Sequence, residues 1–429
     1  MRRQELLDAL RGGAFDAKLR EVYGERVNTE TICGRIESVV NGFCARFDPE
    51  GARELAVFSA PGRTELGGNH TDHQNGCGLA GSVDMDTIAC VARRDDTVIR
   101  VVSKGHDPVE VDVGDVAIRE DERSRSQALV RGVAAKMDEM GERIEGFDAY
   151  TETRVLRGSG LSSSAAFEVL VGEIMNGLFC RGKFDSTEIA KIGQYAENVY
   201  YGKPCGLLDQ MACSTGGVIA IDFADPAAPV VERCAVDFAA EGFALVVIDS
   251  GANHSDLDGE YAAITQEMRA VAHFFGKTVL HEVDEAAFYA REDEVRAALG
   301  ERPALRAEHF FAETKRAQAQ LAALRRGDFA AYLALVRESG ASSEAKLQNV
   351  SIDRPDGDRL LRVIHRARAL AGERGAARVH GGGFAGTAQA YVPLDALDGF
   401  VAAMEGEFGK GCCHIVQIRN VGGVILIRN

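Results

Sequence analysis

Residues 157–166 read Arg157-Gly158-Ser159-Gly160-Leu161-Ser162-Ser163-Ser164-Ala165-Ala166. Glycine permits tight curvature there, and the serines add hydroxyl donors beside a run of backbone N–H groups. Downstream, Ala166, Val169, Leu170, Ile174 and Leu178 recur at spacings of three and four, so the loop opens a helix. Amides at a helix start, helped by the helix dipole, make an anion site suited to a polyphosphate. Gly158, Ser159, Gly160, Leu161, Ser162, Ser163 and Ser164 are its candidate contacts. The GxxxxGK[ST] pattern is absent, so this is not a P-loop and lacks its lysine. Without a ligand, the same residues would read as a Ser/Gly connector capping a helix.

Two other stretches are dense in functional side chains. Residues 59–73, Ser-Ala-Pro-Gly-Arg-Thr-Glu-Leu-Gly-Gly-Asn-His-Thr-Asp-His, follow a strand-like run. His70, Asp72 and His73 do not have the spacing of a zinc signature. Carboxylate and imidazole groups converging on the hydroxyls of a polyol fit the stretch better. Residues 380–386, His-Gly-Gly-Gly-Phe-Ala-Gly, contain a formal GxGxxG match. A dinucleotide fingerprint would open a helix at its last glycine, yet residues 387–393 look extended and end at Pro393. A tight turn between strands, with Gly382, Gly383 and Gly386 lying against a ligand, is the expected form.

The elements that must position these residues form no regular alternation. Runs at 55–60, 86–93, 97–102, 109–113 and 148–156 read as strands, with a helix near 125–140. From residue 243 a buried strand is followed by helical periods near 260–276, 286–299, 303–325 and 328–339. Another helix follows the Pro355-Asp356-Gly357 turn, and strand, helix and strands close the chain. This is an α+β pattern. With 429 residues, two domains are expected, 1–225 and 226–429. The first 50 or so residues carry little readable signal.

Bulk properties exclude some functions. A formal net charge of −16 disfavours nucleic-acid and anionic-membrane partners but leaves local phosphate binding open. No stretch approaches the roughly 18 apolar residues of a membrane span, and the N-terminal run is broken by acidic residues, so a cytoplasmic protein is expected. The ten cysteines form no CxxC pair and are expected to be reduced and packed, Cys412 and Cys413 included.

Taken in order, the stretches resemble the GHMP kinases, and among them the galactokinase family. Its first motif, near APGRVNLIGEHTDY, stands here as APGRTELGGNHTDH. Its GxGLSSSA stands as GSGLSSSAA, and its third loop as GGGFAG. Pro204-Cys205-Gly206-Leu207-Leu208-Asp209-Gln210 is similar to the family's PCGIMDQ, and His254-Ser255 with Glu260-Tyr261 to its RHS…EY segment. The similarity runs from about residue 55 to the C-terminus.

The resemblance implies a two-domain fold with the active site in the cleft between the domains. The N-terminal domain would be of ribosomal-protein-S5-like α/β type, and the C-terminal one ferredoxin-like α+β. It implies ATP and Mg2+, phosphorylation of a hexose at its anomeric hydroxyl, D-galactose first, and a monomer whose partners are a sugar and ATP. By the same resemblance Asp209 is the catalytic aspartate, with Arg63 beside it. Ser164 and Glu197 are the magnesium ligands. Glu65, Asn69, His70, Asp72, Gly206 and Tyr261 fall on sugar-contact positions.

The match departs in one place. The family's glutamate is Asn69 here and its upstream asparagine is Glu65, while His73 replaces a tyrosine. An amide donates as well as accepts, so the exchange bears on which sugar is preferred, N-acetylgalactosamine being one alternative. A catalytically silent sugar sensor is disfavoured by the complete 162–166 run and by Asp209. A kinase for mevalonate or a similar alcohol is disfavoured by the His-Thr-Asp triplet.

Overall fold

The computed structural model describes residues 1–155, 160–203, 205–252 and 257–428. The first fifty residues form three helices, α1 (Arg3–Arg11), α2 (Asp16–Tyr23) and α3 (Thr29–Phe47). Along α3, Ile32, Ile36, Val39, Val40 and Phe43 make one buried face, and Asn28 caps the helix by accepting from the Thr31 amide. That face packs with Leu10, Leu19 and Val22 onto Val57, Ile88 and Cys90 of two long strands, β1 (Ala56–Gly67) and β2 (Cys77–Arg93). The other side of these strands, with Phe58, Ala89 and Val91, lies under α4 (Ser126–Glu139) and α5 (Ser163–Leu178). Both faces are dry, so the two strands read as continuous apolar runs without alternation.

Around β1 and β2 the sheet is completed by β3 (Val98–Ser103), β4 (Val109–Asp112), β5 (Phe147–Thr153), β6 (Val218–Asp222) and β7 (Val230–Cys234). Its order is β2-β5-β3-β4 on one side, with β6 and then β7 paired to the far half of β2. β3 and β5 run parallel. Helix α6 (Ser186–Tyr195) runs into a π-helix, Ala196–Tyr201, and α7 (Leu208–Thr215) follows.

A second, antiparallel sheet has the order β11-β8-β10-β9, from β8 (Phe243–Asp249), β9 (Ala376–His380), β10 (Thr387–Pro393) and β11 (Cys413–Val416). Between β8 and β9 come α8 (Asp258–Phe274), α9 (Glu285–Ala290), α10 (Glu292–Leu299), α11 (Glu301–Arg325) and α12 (Phe329–Ser342). A second π-helix, Ser343–Leu347, and α13 (Arg359–Ala371) follow. The helix expected over 286–299 is broken at Arg291. Helices α13 and α14 (Leu397–Phe408) cover one face of this sheet through Leu360, Ile364, Phe400 and Met404. Tyr332 of α12 packs on the other, its hydroxyl bonded to that of Tyr391 at 2.5 Å.

The chain then returns to the first sheet. β12 (Val424–Ile427) pairs antiparallel with β1, Phe58 opposite Ile425. Asp86 pins this return. Wholly buried, it receives Arg419 at 2.9 Å, Arg35 of α3 at 2.7 Å and the hydroxyls of Tyr23 and Ser59, both at 2.5 Å. All ten cysteines are free thiols. Among the described residues no helix is long and apolar enough to cross a membrane.

Candidate active site

The polar stretch at 59–73 does not simply follow a strand; β1 itself runs through Gly67. The β1–β2 register shifts between Pro61 and Arg63 and again between Glu65 and Gly67. Such irregularities let a proline sit in a strand and re-aim the residues between them. Arg63 and Glu65, two apart, lie on the same face.

Arg63 reaches Asp209 in the first turn of α7. Its Nε donates to Oδ1 at 2.7 Å and its Nη2 to Oδ2 at 2.9 Å. Its Nη1 donates to the Gly160 carbonyl, and its backbone N–H to the Leu161 carbonyl at 3.0 Å. Ser162 then donates its hydroxyl to Asp209 Oδ2. One carboxylate therefore joins the polyol motif to the loop that opens α5. Burial opposes ionisation of Asp209. The charge and paired hydrogen bonds of Arg63, with the Ser162 hydroxyl, outweigh it and hold the acid below the usual carboxylate range. The Asp209 side chain remains 37% exposed, open to a ligand.

In the loop, Gly160 has φ +68°, and a Cβ on it would stand 2.4 Å from Thr387 Oγ1 and 2.8 Å from His380 Nδ1. The second glycine loop is thus seated on the rim of the second sheet. Ser162 is left-handed (φ 55°), and α5 starts at Ser163 with no side-chain cap, so its leading amides are suited to an anion. Ser163 and Ser164 open that helix. Gly158 and Ser159 lie outside the described residues, as does the His254-Ser255 pair.

Glu197 is buried on the first π-helix, where a π turn re-aims the side chain. Gln210 Nε2 donates to Glu197 Oε2 at 2.8 Å and to Glu168 Oε2 at 3.0 Å, and Lys203 Nζ lies 3.6 Å from Glu197 Oε1. Glu168 is also buried, and its Oε1 has no partner among the described residues.

Farther along β1 the site is sealed. Glu65 Oε1 accepts from Arg378 at 2.7 Å and from Asn69 at 2.9 Å. Burial raises Glu65 to about 7, with Arg378 and Arg63 pulling against it. Asn69 is fully buried, and its amide is saturated by the protein. Its Nδ2 also donates to the Gly381 carbonyl at 2.8 Å, while its Oδ1 accepts from Asn349 at 2.9 Å and Ser343 at 3.3 Å. Asn69 is thereby turned into the wall, with nothing left for a hydroxyl. The exchanged pair bond each other.

His70 has φ 58°. Its Nε2 lies 2.9 Å from the Gly382 carbonyl and must donate to it, so Nδ1 accepts from His73 Nε2 at 3.1 Å. Burial, then the nearby His73, lowers His70 to about 3 and keeps it neutral. Asp72 sits against Gly206, where a Cβ would lie 1.9 Å from Asp72 Oδ2. Tyr261 donates its hydroxyl to the Gly383 carbonyl at 3.2 Å, and its ring fills the space a Cβ on Gly382 would need. Gly383 (φ +87°) presses on the Asn349 carbonyl, and Gly386 closes the turn by donating to the Gly383 carbonyl at 3.1 Å. The third loop is a β9–β10 turn, as expected, lying over the first motif.

Sequence reasoning passed over Arg378, His380, Asn349, Gln210, Glu168 and Lys203. Gln210 closes the Pro204–Gln210 stretch and Lys203 immediately precedes it, so the positive charge of Lys203 was a usable signal. The others lie far from the residues they serve.

Residues 128–217 match the GHMP kinases N terminal domain, and residues 41–93 match the galactokinase galactose-binding signature. A galactokinase of Streptomyces coelicolor is 33% identical over 365 residues, 83% of this chain and 90% of that protein. The chain belongs to the galactokinase family. Membership makes it a sugar kinase that uses ATP. Among solved structures, the galactokinase of Lactococcus lactis, complexed with galactose, has the same fold at a TM-score of 0.77. It is 24% identical and covers 90% of this chain and 98% of its own. The Methanococcus jannaschii mevalonate kinase shares the fold at a TM-score of 0.60 with 13% identity, covering 87% of this chain and all of its own.

Proposed function

We propose that this chain transfers the γ-phosphoryl group of ATP to the anomeric hydroxyl of D-galactose, giving α-D-galactose 1-phosphate and ADP. The 33% identical galactokinase and the matched galactose-binding signature support that substrate. The observation that carries the mechanism is the Asp209 carboxylate, bonded at once to Arg63 of the polyol strand and Ser162 of the α5 loop.

The anomeric oxygen attacks the γ-phosphorus, the bond from that phosphorus to the β–γ bridging oxygen breaks, and its electron pair leaves with ADP. The hydroxyl proton passes to Asp209. A carboxylate held below its usual range is a weak base, so it takes the proton late, once the new O–P bond has made the hydroxyl acidic. Arg63 holds that carboxylate ionised and aimed. Serine 162 fixes its second oxygen, and the α5 amides receive the triphosphate. On the sugar side, Asp72 is held against Gly206, the neutral His70 presents its edge between Gly382 and His73, and Glu65 and Tyr261 line the wall.

Magnesium fits the residues present. Ser164 and Glu197 offer hard oxygen donors, and the orphaned Glu168 oxygen leaves this buried corner short of positive charge. The ion would be held by Ser164 and Glu197 and would offset charge on the phosphates. Within this reading the molecule has an N-terminal and a C-terminal unit, 1–225 and 226–429. The expected border at 225/226 would cut β7 (Val230–Cys234) from the first sheet in which it pairs, so we move it to the connection from β7 to β8, residues 235–242. A cytoplasmic monomer with no nucleic-acid or membrane partner completes the proposal.

A panel of hexoses with coupled ADP detection tests it. D-galactose should be phosphorylated well above background ATP hydrolysis. The panel includes the alternative acceptor raised by the sequence, a galactose derivative such as N-acetylgalactosamine, although the exchanged Glu65 and Asn69 are bonded to each other in the wall. Turnover of that sugar without turnover of galactose would replace the first reading by the second.

A further inference from the structure

Phosphoryl transfer gathers negative charge where the terminal phosphate meets the acceptor, and a mobile cation there lowers the barrier. Arg63 is poorly placed to be that cation. Its Nε and Nη2 are given to Asp209 and its Nη1 to Gly160, and its side chain is only 8% exposed. Moving it would undo the geometry of the acid it holds.

Lys203 is in the opposite condition. Its backbone is fixed, the N–H donating to the Glu197 carbonyl at 3.2 Å just after the left-handed turn at Gly202 (φ +88°). Its side chain is 64% exposed, and its ammonium has one contact among the described residues, 3.6 Å from Glu197 Oε1. That separation is a charge contact, too long for a good hydrogen bond. Asp209 and Glu168 also feel its charge. One loosely held ammonium therefore stands within charge range of three acids, six residues before Asp209. A lysine swings its point charge without moving the backbone, and a triphosphate attracts it more strongly than one carboxylate at this range.

We infer that Lys203 is a phosphate contact of this enzyme: it leaves Glu197 and binds the γ-phosphoryl group as that group is transferred. The inference rests on the kinase reading. It supplies the positive charge that a P-loop lysine gives elsewhere, from the segment carrying the catalytic acid instead of the glycine loop.

The test compares wild type, Lys203→Met and Lys203→Arg, with Lys18→Met as a surface-charge control. Calorimetry with a non-hydrolysable ATP analogue and with ADP reads binding, and coupled assays read turnover. Lys203→Met should bind the analogue about tenfold more weakly, with ADP affinity little changed. Its kcat/KM for ATP should fall on the order of ten- to a hundredfold, with the sugar KM and the melting temperature unchanged. Lys203→Arg should recover most of both. Wild-type analogue affinity in Lys203→Met, or equal losses for analogue and ADP, overturns the assignment. Absence of sugar phosphorylation by wild type would instead overturn the kinase reading, and the calorimetry would still judge Lys203.

Discussion

Two ends of one site, anchored two residues apart on the same strand, hold their acids in opposite ways. At Arg63 the carboxylate of Asp209 is gripped by a forked guanidinium and a hydroxyl, left 37% exposed, and kept ionised. At Glu65 the carboxylate is shut in with Arg378 and Asn69, and burial raises it to about 7. The first acid is arranged to meet a ligand and the second to tie β1 to β9. Proximity to substrate motifs in the sequence does not separate such roles; solvent access and spare hydrogen-bond capacity do.

The largest expected effect breaks the open end. Asp209→Asn keeps the shape but removes the proton acceptor and unbalances Arg63. Turnover should fall on the order of 10³- to 10⁴-fold in the coupled assay, while the ATP analogue still binds. Normal turnover would remove Asp209 from the mechanism.

At the sealed end the same logic predicts lost stability. Arg378 is fully buried. Arg378→Met strips Glu65 of its cation and should cost about 3–5 kcal/mol in urea unfolding. The double variant Glu65→Gln with Arg378→Met removes both charges and keeps an acceptor for Asn69, so it should recover part of that loss. If Arg378→Met unfolds like wild type, the sealed end is not an energetic tie.

Acidity distinguishes the ends again. Glu65 holds its proton more tightly folded (about 7) than unfolded (4.5). Its contribution to stability is therefore full below pH 4.5 and is lost as pH rises through about 7, in total about 3 kcal/mol. Glu65→Gln should remove this slope from a series of melts between pH 4.5 and 8. Asp209 has the opposite sign: its folded value is depressed, so its smaller, partly screened contribution appears above the usual aspartate range and fades only in acid. An unchanged slope in Glu65→Gln would mean that another group sets it.

How much of this was legible follows the same division. The open end was readable because its parts are short, chemically distinctive runs: Arg63, Ser162 and Asp209 each sit in a quoted motif, and the structure brings them into contact. The sealed end is built by pairs such as Glu65 with Arg378 and Asn69 with Asn349, separated by 313 and 280 residues. No local pattern marks such partners, so Asn69 read as a ligand contact when its amide is spent on the wall. In the fold, β5, β8 and the later helices announced themselves by period and by flanking turns. β1 runs past its expected end and β2 begins before its expected start, because both faces are covered and the polar residues of 61–67 and 82–87 break the apolar runs. Helix α3 was readable in principle, with Asn28 as cap and Ile32, Ile36, Val39 and Phe43 on one stripe. Its polar interruptions, Arg35 among them, hid the stripe, and Arg35 is buried because Asp86 lies opposite it.

The smallest expected effect sharpens the border between the two ends. Gly206 carries Asp72 directly against it, and a methyl group there would meet Oδ2 at 1.9 Å. Asp72 is 20% exposed, and among the described residues its one charge contact is the distant His73 at 3.7 Å. It can therefore move aside without disturbing the sealed network or the Arg63 fork. Gly206→Ala should raise the KM for the sugar by about tenfold, roughly what one displaced polar contact is worth, with kcat and the ATP KM little changed. A fall in kcat at constant KM would place Asp72 with the reacting atoms, on the Asp209 side. A fall in melting temperature alone would place it with Glu65, as part of the wall.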